Sequence, residues 1–160
     1  MRRAFLVLII CICAESSVFS QVVSLSCPFS LPPSVGGACD YLNSQAFEGK
    51  ISLRFGVDNS NVSFGADDQG VLVVHGTVYT VAADGTQGTA KVRYTINLRD
   101  AKIVNYSDTI RIICDSSKCI NISNDLLSMG DYDETEFTVD ENIVDEVAKS
   151  LEEIKSYARQ

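Results

Sequence analysis

Gly70-Val71-Leu72-Val73-Val74-His75-Gly76-Thr77-Val78-Tyr79-Thr80-Val81 is rich in β-branched and aromatic residues and holds no proline. Ala83-Asp84-Gly85-Thr86-Gln87-Gly88 follows, with an Asp-Gly pair and a second glycine that supply the positive φ angles a chain reversal needs. On the return arm Ala90, Val92, Tyr94, Ile96 and Leu98 alternate with Lys91, Arg93, Thr95, Asn97 and Arg99. Successive strand side chains point to opposite faces, so this arm buries one face and wets the other. The stretch predicts a β-hairpin in an antiparallel sheet with one apolar side.

Strand signals recur on both sides of it. Ile51, Leu53, Phe55 and Val57 alternate with Ser52, Arg54 and Gly56, and Val62 to Gly65 is a short strand. Beyond the hairpin come Ile103 to Tyr106, Thr109 to Cys114 and Cys119 to Ser123, separated by turn residues. No helical pattern separates these strands as a parallel sheet would require. The expected fold is mainly β, a single antiparallel β-sandwich or small barrel, followed by a C-terminal amphipathic α-helix.

Residues 1–20 stand apart from it. Arg2 and Arg3 precede eleven apolar residues, Ala4 to Ala14, and Val18-Phe19-Ser20 suits cleavage before Gln21. This is the pattern of a signal peptide, too short in its apolar run to serve as a membrane anchor. The expected localisation is therefore secreted and extracellular. Residues 21–124 form the expected disulfide-stapled β-domain, and 125–160 an acidic linker and C-terminal helix.

Cys27, Cys39, Cys114 and Cys119 remain after the signal segment, an even number that in an exported chain favours two disulfides. Cys27 and Cys39 bracket a loop holding Pro28, Pro32, Pro33, Gly36 and Gly37, for which an irregular course is expected, with a helical turn over 40–47. Cys114 and Cys119 would close a hairpin loop. That pairing sets Ile112 opposite Asn121 and Arg111 opposite Ile122, so either a bulge intervenes or the bridges run to the N-terminal loop. Sequons at Asn61, Asn105 and Asn121 agree with export and predict surface N-glycosylation.

From Asp125 onward there are 11 Asp+Glu against 3 Lys+Arg, whereas residues 21–124 hold 9 and 8. Met129 to Glu136 is acidic and turn-like, and Tyr132 within it is a candidate for sulfation, a plain linker tyrosine being the alternative. Thr138-Val139-Asp140-Glu141 matches a capping box. Ile143, Val147, Leu151, Ile154 and Ala158 then place one apolar stripe on a helix, which either packs on the sheet or presents itself to a partner.

Catalytic chemistry finds little material. His75 is the sole histidine and sits in mid-strand, with no nucleophile elbow nearby. Asp58, Asn59, Asp67 and Asp68 gather oxygen ligands without the spacing of a calcium loop, and no zinc spacing exists, so no metal or other cofactor is expected. Lys91, Arg93, Arg99, Arg54 and Lys50 would make a basic patch if their strands were adjacent. An acidic exported chain is a poor nucleic-acid binder.

Asp67 to Val73 together with Tyr94 to Asp100 resembles the middle and end of a cadherin-type repeat or its prodomain, over barely a third of the chain and without that family's calcium ligands. The order of signal peptide, β-domain and helix is similar to lipocalins, but the Gly-x-Trp motif is absent because there is no tryptophan. Neither carries a function across. The expectation is a secreted glycoprotein acting as a non-catalytic extracellular binding module. Its partner would be an extracellular protein or, in a lipocalin-like carrier, a small apolar ligand, with no transmembrane anchor.

Overall fold

The computed structural model describes residues 33–157 except 55, 57–60, 68, 82–83 and 125–127. The signal segment, Cys27, Asp58, Asn59, Asp68 and Ala158 lie outside these residues. The element order is α1 (Pro33–Phe47), β1 (Ile51–Leu53), β2 (Ser63–Ala66), β3 (Val71–Val81), β4 (Gln87–Asn97), β5 (Ala101–Asn105), β6 (Thr109–Cys114), β7 (Ile120–Asn124), β8 (Ser128–Tyr132), β9 (Glu134–Val139) and α2 (Val144–Tyr157). The strands form two antiparallel sheets, ordered β1-β9-β6-β5 and β2-β3-β4-β7-β8, and neither closes into a barrel.

The hairpin behaves as its alternation demands. β3 and β4 pair from Val71↔Asn97 to Val81↔Gln87. Leu72, Val74, Val92, Tyr94 and Ile96 are buried, while Lys91 and Arg93 are exposed. Phe137 of β9 ties the two sheets together, its ring edge-on to Phe64 of β2 at 5.9 Å and to Tyr94 of β4 at 6.5 Å. One continuous core takes side chains from both sheets and both helices.

Three sequence expectations are corrected. The first is the N-terminal loop, which from Pro33 onward is helix α1. Pro33 suits the first helical position, where no donor is needed. Val35, Ala38, Cys39, Leu42 and Ala46 then recur at helical spacing and are all buried. Gly36 and Gly37 each cost about 1 kcal/mol relative to alanine, and packing on α2 and β2 overrides that. The helix ends at Gly49, φ 74°, where Lys50 N–H donates to Gln45 O (2.9 Å) and Gly49 N–H to Ala46 O (3.0 Å), a Schellman cap. Asn43 docks α1 on the edge of β2, its amide donating to Phe64 O (2.8 Å) and accepting from Phe64 N–H (2.7 Å).

The second correction is the acidic linker. Residues 128–132 and 134–139 are β8 and β9, and β9 lies between β1 and β6. Thr135, Phe137 and Val139 alternate with Glu134, Glu136 and Thr138, and the apolar set faces the core. Thr138 is thus a strand residue rather than a helix cap. The turn into α2 uses Asp140 instead, whose carboxylate accepts from Asn142 N–H at 2.9 Å. That bond holds the Asp140 pKa below the ordinary carboxylate value. The apolar stripe of α2 packs inward through Val147, Leu151 and Ile154, against α1 and the β5–β6 side of the first sheet.

The third correction removes the register conflict at the cysteines. Cys114 and Cys119 are bonded, with Cα atoms 5.6 Å apart. β6 and β7 belong to different sheets, so the bridged loop is a crossover between layers and not a hairpin. Ile112 faces Ile103 and Thr135, while Ile122 faces Tyr94, and no arginine opposes isoleucine. Cys114 N–H donates to Asp133 O at 2.8 Å and Asn97 N–H to Cys119 O at 2.9 Å, which pins the corner to both sheets. Opening this short loop in a Cys114→Ser/Cys119→Ser variant costs about 2 kcal/mol of stability, measured by chemical denaturation. An unchanged midpoint would show that those backbone bonds hold the corner alone.

Candidate functional site

A cleft of about 370 Å³ opens between the sheets. Val78, Tyr79 and Thr80 of β3, Val92 and Tyr94 of β4, Ile122 and Asn124 of β7 and Tyr132 of β8 line one wall. Arg54, just past β1, Arg111 of β6, and Glu134, Thr135 and Glu136 of β9 line the other. Val78, Val92, Tyr94 and Ile122 make the first wall largely apolar. The second is polar and charged.

The charged wall is built on one carboxylate. Glu136 Oε1 accepts from Arg54 at 3.0 Å and Oε2 from Arg111 at 3.3 Å. Arg111 also lies 5.6 Å over the Tyr106 ring, which fixes its guanidinium plane. Its Nε is buried with no acceptor among the described residues. On the opposite wall burial, and then the nearby Tyr132 phenol, push the Tyr94 pKa above its ordinary value. Tyr94 therefore stays neutral across the physiological range and serves as a hydrogen-bonding group at most. The arrangement suits reversible binding of a small molecule that is apolar along one side and polar at one end.

Few of the residues singled out in the sequence meet here. Tyr132, 36% exposed, ends an ordered strand and lines the cleft, so its acidic neighbours are fixed in strands and not strung along an extended tail. Asn61, Asn105 and Asn121 are all on the surface. The Asn105 amide donates to Asp145 and that of Asn121 to Asp131, at 2.7 and 2.8 Å. Cys39 is fully buried in α1. The Asp67 carboxylate accepts from Gln69 and Val71 N–H (2.9 and 2.8 Å) and so shapes a turn. The basic patch does not assemble, because Lys91 and Arg93 sit in one sheet while Arg54 follows a strand of the other and Lys50 pairs with Glu48 at 2.7 Å. Among the described residues no group of three or more His, Cys, Asp or Glu gathers as metal ligands would, and no helix is long and apolar enough to cross a membrane.

His75 lies opposite Arg93 on the face of β3 away from the core. Burial first, and the Arg93 charge second, lower its pKa. The folded state thus binds this proton less readily than the unfolded chain. Its stabilising share is complete above the unfolded value of about 6.5 and is lost as pH falls from there through the lowered folded value. His75→Gln should flatten part of the decline in melting temperature between about pH 7 and pH 5. Identical profiles for both proteins would show that His75 is not responsible.

Arg111, Glu136, Tyr94 and Val78, the centre of the cleft, carry no motif that sequence spacing alone exposes. The alternation over residues 134–139 was the available signal for Glu136. Comparison with known proteins finds no matching family model, no matching curated protein and no matching solved structure.

Proposed function

We propose that this protein is a secreted, N-glycosylated, non-catalytic binding module whose ligand site is the cleft between its two sheets. Its ligand is a small, largely apolar molecule. The carrying observation is the cleft itself, about 370 Å³, with Val78, Val92, Tyr94 and Ile122 along one wall. Packed sheets ordinarily fill that space with their own side chains, to the density of an organic crystal. A volume of this size falls within the range of small-molecule pockets. The lipocalin-like alternative keeps its ligand class but not its barrel, since the two sheets stay separate.

Titrating the purified protein with N-phenylnaphthylamine, a neutral apolar fluorophore, tests this. A saturable fluorescence increase is expected. Val78→Trp, which fills the cleft from β3, should weaken the affinity at least about tenfold, or about 1.4 kcal/mol. A signal that never saturates, or one indifferent to Val78→Trp in a folded variant, would overturn the assignment.

A further inference from the structure

The chemistry of the polar wall narrows the ligand class, and this rests on the cleft being a ligand site. Glu136 is shared between two guanidinium groups, with Arg54 at 3.0 Å and Arg111 at the longer 3.3 Å. Arg111 lines the cleft with its side chain 38% exposed. Its Nε lacks an acceptor among the described residues although it is shut off from solvent. A buried donor left unmade is costly, so Arg111 keeps hydrogen-bonding capacity beyond its contact with Glu136. Glu134, the other acid of the lining, is solvent-exposed and among the described residues makes no ion pair. It offers less opposition than a desolvated carboxylate would, because its charge is screened.

From these observations we infer that the cleft binds an amphipathic carboxylate, its acid group on Arg111 and its hydrocarbon over Val78, Val92, Tyr94 and Ile122. Planar forked guanidinium donors match a carboxylate in two parallel bonds, which an alcohol or an amine cannot reproduce. The Tyr106 ring keeps the Arg111 plane from turning freely, so little side-chain freedom is lost on binding.

Calorimetric titration of the full chain with decanoate, decanol and decylamine separates the head-group from the chain contribution. Decanoate should bind at least about tenfold more tightly than decanol, as one charge-assisted bond implies. Arg111→Met should bring decanoate down to the decanol affinity. Circular dichroism checks that the variant is folded, and the wild-type series stands without it. Equal affinity for decanoate and decanol, or tightest binding of decylamine, overturns the carboxylate assignment and leaves the apolar cleft standing. A preference that survives Arg111→Met overturns the role of that residue. Failure of all three compounds to bind overturns both the carboxylate and the cleft as a ligand site.

Discussion

Phe137→Ala should lower the unfolding free energy by about 3–5 kcal/mol, the largest loss expected from any single truncation described for this fold. The ring is 1% exposed and is the one aromatic from the β1-β9-β6-β5 sheet that meets Phe64 and Tyr94 of the other. Its removal takes away transfer free energy and both edge-on ring contacts, and leaves a void that two sheets held apart by hydrogen-bonded frames fill poorly. For a chain of this length the melting temperature should fall on the order of 10 °C. Phe137→Leu retains much of the volume and should lose less. Thermal unfolding followed by circular dichroism measures both. A shift of only a degree or two for the alanine variant would mean that the sheets are joined chiefly elsewhere.

Gly76→Val should destabilise by about 3 kcal/mol, at the upper end of overpacking costs. Gly76 is buried in β3, and a Cβ there would overlap Leu53 Cδ1 of β1 and approach Val62. The glycine serves here as a notch, letting a leucine of one sheet seat against the backbone of the other. Leu53→Ala alone should cost stability by leaving that notch empty. Combined with Gly76→Val it should recover part of the loss, giving a coupling energy of about 1–3 kcal/mol in a double-mutant cycle. Additive effects would show that Leu53 and Gly76 do not share the space.

How far the sequence discloses this molecule depends on whether its signals are periodic and local. Val92, Tyr94 and Ile96 alternate cleanly, and their strand and buried face follow directly. The stripe Val147, Leu151, Ile154 likewise marks α2. Helix α1 was hidden because Gly36-Gly37 and three prolines argue locally for irregular chain, whereas its stability comes from tertiary burial of Leu42 and Ala46. β8 and β9 were hidden by charge. Glu134 and Glu136 suggest a solvated linker until Phe137 and Val139 are seen to share the opposite face. The cleft was out of reach for a different reason. Arg54 just after β1, Arg111 in β6 and Glu136 in β9 are distant in sequence, and only the sheet order brings them together.

The position of β9 sets the order in which the molecule can be assembled. Ile51 finds its partner only at Val139, and β6 is likewise completed from that same late strand. Each sheet has a local start, the five-stranded one in the β3–β4 hairpin and its counterpart in the β5–β6 hairpin, but β1 joins the latter only when β9 arrives, near the end of the chain. Non-local pairing of this kind defers its reward until the loop-closure entropy has been spent, which places folding in the millisecond-to-second class of β-proteins and not with helical bundles. Until Phe137 arrives, β1 presents an unpaired edge and the inner face of the hairpin sheet stays uncovered. The vulnerable interval of this protein is thus the one just before its last strand docks, when unsatisfied strand edges are open to association with other chains.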